Sequence, residues 1–185
     1  KEERVQLTDA RAMLLFMLYK LVANGEFVSE FSSEKICYFL QRFGAKEHFK
    51  LDYKPNFYGP YSGKVKYVIN YLNGSYIMGY SSMDKKPFET LDLVSDGFEK
   101  VESYILSKPE LVQIVNRTEL FLDGFYSEFA LELLSTVDYI RLNKETFDLE
   151  IIKSELESWS ERKRTLFSND RFLNISINHL KEHFG

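Results

Sequence analysis

Apolar residues recur at helical spacing along most of this chain. After Thr8, which suits an N-cap, the segment is apolar almost all round as far as Gly25, and this predicts a buried helix. A second apolar stripe predicts a helix that begins at Ser32 or Ser33 and ends at Gly44. The members of that stripe are Ile36, Phe39, Leu40 and Phe43. The start of the chain is therefore predicted to be helical.

Helical spacing continues after residue 64, with one interruption. Apolar side chains at i, i+3, i+4 and i+7 predict an amphipathic helix; they are Val65, Val68, Ile69 and Leu72. Residues 76–80 and 88–94 predict two short strands joined by a polar turn. Further helices are predicted at about 96–107, 109–122, 126–142, 148–166 and 169–183. The predicted inward face of the third of these is Phe129, Leu133, Val137 and Ile140.

These elements predict a fold of the mainly α (α+β) class, a compact multi-helix domain with one small β-hairpin. A length of 185 residues fits one domain or a compact pair of subdomains, and 44% apolar residues suffice for a core. Three helices followed by a hairpin is also the order of elements in a winged helix, so that alternative stays open.

The stretch YKPNFYGPYS, residues 53–62, places four aromatic rings where the backbone must turn. Its prolines and glycine restrict the backbone, so rings that they hold outward lose little entropy when a partner docks. Tyrosine suits an interface because it offers a large apolar face with a polar tip. The alternative is that Phe57 and Tyr58 fill the core and only Tyr61 is partly exposed. In the helix that follows, Tyr67 projects opposite the apolar stripe and is expected to be exposed.

Composition narrows the classes of function. Cys37, the only cysteine, excludes an intrachain disulfide and is expected to be a core residue. The longest apolar run, residues 12–19, is too short to span a bilayer, and no cationic leader precedes it. We therefore expect a cytoplasmic protein without membrane contact. Because the chain begins at Lys1 rather than Met, we also expect a piece of a longer protein.

The net charge of −4 is unevenly distributed along the chain. Residues 1–83 carry 11 basic and 8 acidic side chains, whereas residues 84–155 carry 8 basic and 16 acidic ones. A general nucleic-acid binder needs one continuous basic face, so this distribution argues against direct binding of nucleic acid. The plainer explanation of the acidic middle is that solvated helices differ in charge.

The motif HLKEH, residues 179–183, matches the inverted zinc-peptidase pattern, in which two histidines bind a metal and the glutamate acts as a base. A catalytic zinc needs a third protein ligand, normally from a later segment, and only Phe184 and Gly185 follow. We therefore expect no metal and no catalytic residue. With no Gly-rich phosphate loop, nucleophile elbow or paired-cysteine motif, the sequence predicts a binding module without a cofactor rather than an enzyme.

The densest basic cluster is WSERKR, residues 159–164. Contact with nucleic acid is one interpretation. We favour a structural one, in which Trp159 anchors a helix in the core while Arg162, Lys163 and Arg164 lie in water. Because Leu156 and Trp159 lie at i and i+3, Trp159→Ala is expected to lose about 3 kcal/mol or more of stability.

Five stretches, in order along the chain, resemble the C-terminal antitoxin domain of the DarG family, macrodomain proteins that are paired with DarT toxins. They are LTDARAMLLFML, EKICYFLQRFG, FYGPYSGKVKYVINYLNGSYIMGY, ALELLSTVDYI and WSERKRTLF. The third and fifth are the most specific. SSMDKKP stands where relatives carry a glycine-richer turn, so the hairpin tip is expected to differ in shape. EKICYFLQ and YGPY also resemble, more loosely, Panacea-type antitoxin domains.

This resemblance implies a function as an inhibitor. DarT-like toxins use NAD to attach ADP-ribose to thymidine in single-stranded DNA. In a DarG-like antitoxin, the N-terminal macrodomain removes the modification and the C-terminal domain binds and silences the toxin. Residues 1–185 are then expected to form a single DarG-like C-terminal toxin-binding domain, monomeric when free, without a macrodomain or enzymatic activity. The alternatives are a winged-helix-like DNA-binding autorepressor and a Panacea-type toxin-neutralising domain.

The predicted surface for a DarT-like ADP-ribosyltransferase toxin combines rings and charges. Its residues are Tyr53, Tyr58, Tyr61, Lys64, Tyr67, Tyr80, Asp84 and Glu128. A toxin that modifies single-stranded DNA must hold phosphates in a basic groove and stack bases on rings. Glu119, Asp123, Glu128 and Glu132 are candidates to replace the phosphates, so we expect exclusion of DNA rather than distortion of the NAD site. Tyr67→Ala is expected to weaken binding by about 2 kcal/mol or more.

Overall fold

The computed structural model describes residues 4–80, 86–167 and 169–185. The chain forms two compact units. Unit 1 comprises Lys1–Tyr53 and Tyr61–Tyr126, and unit 2 comprises Lys54–Pro60 and Ser127–Gly185. The predicted mainly α class is confirmed, with two two-stranded sheets in place of the single hairpin that the sequence predicts.

The described residues form the following helices and strands. The helices are α1 (Asp9–Ala23), α2 (Glu30–Leu40), α3 (Lys46–Phe49), α4 (Val65–Leu72), α5 (Phe98–Leu106), α6 (Pro109–Leu122), α7 (Glu128–Lys144), α8 (Leu149–Trp159), α9 (Glu161–Leu166) and α10 (Asp170–Phe184). The strands are β1 (Lys54–Asn56), β2 (Gly59–Tyr61), β3 (Ile77–Met78) and β4 (Asp92–Leu93). Residues 41–45 form a kink between α2 and α3, with non-helical backbone at Phe43 and Gly44, and a 3-10 turn covers Ser95–Gly97.

The core of unit 1 surrounds α1, which packs against α2, α5 and α6. This helix is buried along most of its length, as its apolar composition predicts. The side chain of Thr8 accepts a hydrogen bond from the backbone N–H of Arg11, which confirms the predicted N-cap. Cys37, on α2, is buried, so its expected place in the core is also confirmed.

The second helix has different ends from those that the sequence predicts. It begins at Glu30 rather than at Ser32 or Ser33, because Ser29 is the N-cap and forms a reciprocal capping box with Ser32. Regular α-helix ends at Leu40, and the chain then kinks at Phe43 and Gly44, where φ of the glycine is 121°. Glycine is the residue that adopts this conformation without strain.

The sheets are smaller than predicted. In β3 and β4, Ile77 pairs with Leu93 and Met78 with Asp92, so only two residues of each predicted strand are paired. The tip between them, residues 81–85, lies outside the described residues. The second sheet, of β1 and β2, forms inside the stretch that the sequence assigns to a loop.

In unit 2, α7 packs against α8 and α10, and α8 packs against α9 and α10. The predicted helix 148–166 is wrong in one respect, because it is divided at Ser160. The backbone there is extended, with φ −171° and ψ 163°, and the serine side chain caps α9. On α7, Leu133, Val137 and Ile140 are buried as predicted, whereas Phe129 is 38% exposed and lies against the rings of Phe167 and Phe172.

Over the described ranges, none of the helices has the length and apolar character needed to cross a membrane.

Candidate partner-binding surfaces

The turn between β1 and β2 is fixed by two side chains that lie far along the chain, one at the end of α8 and one in α9. The indole N–H of Trp159 donates to the carbonyl oxygen of Asn56 at 2.9 Å. The ammonium group of Lys163 donates to the carbonyl oxygen of Phe57 at 3.2 Å. A short hairpin is marginally stable in water by itself, so these two bonds hold its backbone in place.

Lys163 is buried rather than solvated, which corrects the prediction that the three basic residues of WSERKR lie in water. It forms an ion pair with the buried carboxylate of Glu132, on α7. Arg162 is half-buried and donates to the same carboxylate at 2.7 Å. Burial lowers the pKa of Lys163, and the Glu132 carboxylate opposes that shift. Because the extended backbone at Ser160 separates α9 from α8, the Lys163 side chain points into the interior of unit 2.

The ring of Phe57 is exposed on this fixed turn. Its side chain is 54% exposed, which overturns the alternative that it fills the core. The ring lies edge to face against Tyr58, with centroids 4.8 Å apart. The guanidinium of Arg162 lies 5.3 Å from the Phe57 centroid and 4.8 Å from that of Tyr58. A large apolar side chain is thus held at the surface by defined neighbours.

A cleft of about 480 Å³ adjoins the Phe57 ring within unit 2. Its lining residues are Pro55, Asn56, Phe57, Glu155, Ser158, Trp159 and Ser160. Trp159 is half-buried and its ring meets Tyr139 edge to face at 5.9 Å, so it is a wall of the cleft rather than a core anchor. The cleft therefore combines two aromatic walls with a polar rim, as ligand-binding and partner-binding depressions often do.

In unit 1, buried Glu34 of α2 fixes the segment that leads into α4. Its carboxylate accepts hydrogen bonds from the backbone N–H groups of Ser62 and Gly63, each at 3.1 Å, and from the Ser62 hydroxyl at 3.0 Å. Burial raises the pKa of Glu34, while these hydrogen bonds and the nearby Lys35 lower it. The start of α4 is thus tied to the core through one carboxylate.

Three of the predicted tyrosines use their hydroxyl groups inside unit 1. Tyr53 donates to the Glu34 carbonyl at 2.9 Å, and Tyr80 donates to the Glu30 carboxylate at 2.6 Å. Burial and the Glu30 carboxylate raise the pKa of Tyr61 to about 12 and also raise that of Tyr80. Tyr80 is 1% exposed, so its side chain supports this region from within instead of presenting surface.

One face of α4 presents two tyrosines to solvent. Tyr67 is 53% exposed, as predicted, and Tyr71, one helical turn later, is 43% exposed. Lys64 is exposed at the start of the same helix. The guanidinium of Arg11 lies 3.7 Å from the centroid of the Tyr71 ring. Tyrosine and arginine, which meet on this α4 face, are among the residues enriched in protein interfaces.

The other predicted contact residues fall in separate places. Tyr58 is half-buried and Glu128 is exposed, and both belong to unit 2. Asp84 lies outside the described residues. Glu132 is taken up by its ion pairs, which corrects its assignment as an acidic group offered to a partner. Glu119 and Asp123 instead line a groove of about 380 Å³ in unit 1, together with Lys20 and Tyr126.

Sequence reasoning missed Tyr71 as a contact candidate and left Phe57 undecided. The spacing of Tyr67 and Tyr71 at i and i+4 was a usable signal, because it puts both rings on the same side of α4. The exposure of Phe57 depends on Trp159 and Lys163, which lie more than a hundred residues away in the chain. No local pattern predicts that contact.

Comparison with known proteins relates the chain to one kind of protein. No protein-family model matches it. A protein of Thermus aquaticus named DNA ADP-ribosyl glycohydrolase is 29% identical over 160 residues, which cover 86% of this chain and 43% of that protein. A protein of the same name from Mycobacterium tuberculosis is 21% identical over 149 residues, which cover 78% of this chain and 42% of that protein. The chain is thus DarG-related, and it spans less than half the length of these curated relatives.

Proposed function

We propose that this chain is the toxin-binding part of a DarG-like antitoxin and that it binds and inhibits a DarT-like DNA ADP-ribosyltransferase. The observation that carries the proposal is the exposed ring of Phe57 on a turn whose backbone is fixed by Trp159 and Lys163. Both relatives are named DNA ADP-ribosyl glycohydrolase, and a DarT-like toxin attaches ADP-ribose to DNA. The names of the relatives therefore support the choice of partner. Partial coverage of those relatives is compatible with a binding function separate from the glycohydrolase function.

A fixed, exposed ring is an effective anchor for a partner. Interfaces draw most of their binding energy from a few central residues, and aromatic side chains are frequent among them. Ordering a mobile loop during association would reduce the affinity, and the bonds to Asn56 and Phe57 remove much of that cost in advance. The cleft beside Phe57 provides a depression in which the partner's own side chain can be buried.

The α4 face is proposed as a second contact. Tyr67 and Tyr71 supply exposed rings, and Glu34 holds the start of the helix. Because Tyr67 and Phe57 belong to different units, their contributions can be measured independently. Each would be tested by a single alanine substitution with its own control.

Inhibition is proposed to occur by exclusion of DNA. Glu119, Asp123 and Glu128 remain available as acidic groups, and Phe57, Tyr67 and Tyr71 as rings. Within each unit, these acidic groups and rings are proposed to imitate the phosphates and bases that a single-strand groove holds. Under this mechanism the chain and a labelled oligonucleotide compete for the toxin, and added salt weakens both complexes. Fluorescence polarisation measures whether the labelled oligonucleotide still binds the toxin at a saturating concentration of the chain. A ternary complex under these conditions would instead support distortion of the NAD site.

The direct test is calorimetric titration of the purified chain into a DarT-like toxin. The parent chain is expected to form a complex, and Phe57→Ala is expected to weaken it by about 2 kcal/mol, roughly thirtyfold in Kd. Ile175→Ala is the matched control, because Ile175 is an apolar side chain of unit 2 that is 46% exposed. Absence of any complex with the parent contradicts the proposed function. Equal affinities for Phe57→Ala and the control contradict the proposed anchor.

A further inference from the structure

The C-terminal end of α10 places three metal-ligand side chains together. His179, Glu182 and His183 each offer one ligand atom, and these atoms all lie within 4.8 Å of one another. The two imidazole centroids are 4.6 Å apart. From the sequence alone, the third ligand is expected from a later segment, and Glu182 is expected to act as a base. In the structure Glu182 itself lies where a third ligand is needed.

A hydrogen bond sets the chemical state of one imidazole. Nδ1 of His183 lies 3.0 Å from the carbonyl oxygen of His179. A carbonyl oxygen only accepts, so in the neutral tautomer that makes this bond Nδ1 donates and Nε2 is the nitrogen that can coordinate a metal. Metal-binding histidines are usually oriented by such a bond from the other ring nitrogen. This contact orients the His183 ring within the cluster.

The surroundings also favour a cation at this position. The backbone carbonyls at the C-terminus of a helix carry a partial negative charge, and Glu182 and His183 lie in the last turn of α10, with His179 in the turn before it. The helix continues to Phe184, and Leu180, between the two histidines, is buried in unit 2. The end of α10 that bears the ligands is therefore anchored by packing.

We propose that His179, Glu182 and His183 bind a divalent transition metal ion, Zn²⁺ in the first instance. Two imidazole nitrogens and one carboxylate oxygen form a donor set that suits zinc, whereas Mg²⁺ and Ca²⁺ prefer oxygen ligands alone. Three protein ligands leave a coordination position for water or for a side chain of a partner. The bound ion joins residues one turn apart and so stabilises the end of α10.

The test is titration of ZnCl₂ into the chain without a polyhistidine tag, followed by calorimetry. The parent is expected to bind one ion saturably, and Mg²⁺ is expected not to compete. His179→Ala and His183→Ala are each expected to weaken binding about tenfold or more, and Glu182→Gln to weaken it as well. Lys181→Ala, an exposed position in the same turn, is the control and is expected to bind as the parent does.

Thermal unfolding provides a second measurement on the same proteins. Zinc is expected to raise the melting temperature of the parent and of Lys181→Ala. It is not expected to raise that of the double variant that carries His179→Ala and His183→Ala. Circular dichroism checks that each variant is folded before zinc is added. Lack of saturable binding by the parent overturns the proposal. So does binding that survives the loss of both histidines.

Discussion

Lys163 is a lysine without exposed surface, and such a group is tolerated only when other groups satisfy it. The Glu132 carboxylate and the Phe57 carbonyl accept its hydrogen bonds, and Arg162 donates to the other oxygen of the same carboxylate. One buried side chain therefore connects the ion pairs of unit 2 to the backbone under the Phe57 ring. The candidate anchor depends on a residue that cannot itself contact a partner.

Removal of the Glu132 charge should destabilise unit 2. In Glu132→Gln the ammonium group of Lys163 stays buried without a carboxylate partner, and we expect a loss of about 3 kcal/mol or more of unfolding free energy. Urea unfolding followed by the fluorescence of Trp159 measures this, because it is the only tryptophan and lies in unit 2. Glu128→Gln, an exposed position on the same helix, should change little. Equal urea midpoints for both variants would refute the role assigned to the ion pair.

At the scale of elements, the break between α8 and α9 makes this ion pair possible. Ser160 caps α9 by accepting from the backbone N–H of Lys163 at 3.1 Å. Ser160→Ala is expected to cost about 0.5–2 kcal/mol, the usual effect of losing an N-cap. Ser158→Ala is the control, because its hydroxyl only bonds back to the carbonyl of Ser154. Chemical denaturation compares the two; if residues 148–166 formed one continuous helix, Ser160→Ala would be neutral or stabilising.

The sequence predicted the helices whose ends carry local signals and missed those whose geometry depends on distant contacts. The Thr8 cap and the exposure of Tyr67 follow from side chains close in sequence, and the structure confirms both. No glycine or proline marks the break at Ser160, so the sequence predicts one helix through a serine that in the structure has extended backbone and caps α9. The burial of Lys163 and the pairing of β1 with β2 depend on that break and on long-range bonds.

The start of α4 should respond to pH through Glu34. Burial raises its folded-state pKa above the ordinary value of 4.5, so the folded state binds the proton more tightly than the unfolded state. The stability that protonated Glu34 contributes is therefore present below pH 4.5 and is lost as the pH rises through the folded-state pKa.

Glu34→Gln removes this dependence. Between about pH 4 and pH 7, the unfolding free energy of the variant should rise relative to that of the parent, because only the parent must bury a charged carboxylate. Parallel urea titrations at several pH values measure the difference. Glu47→Gln, at an exposed site, should follow the parent throughout. A constant difference between Glu34→Gln and the parent across this range would contradict the raised pKa.

At the scale of the whole molecule, the chain offers surfaces suited to binding in each of its two units. Unit 1 carries the α4 face, and unit 2 carries the Phe57 ring with its cleft. Both surfaces consist of exposed rings near charges, held by buried carboxylates that no partner reaches. This arrangement suits a binding protein, because the buried polar groups fix the geometry of the surface and the exposed rings supply the affinity for a partner.

The most direct test of the central claim is an activity titration with a DarT-like toxin, NAD and a single-stranded thymidine-containing oligonucleotide. We expect ADP-ribosylation to fall as the parent chain is added, Phe57→Ala to shift the titration to higher concentration, and DNA already modified to keep its ADP-ribose. Full toxin activity in the presence of excess chain would contradict the proposed inhibition. Removal of ADP-ribose from modified DNA by the chain itself would contradict its assignment as a binding module.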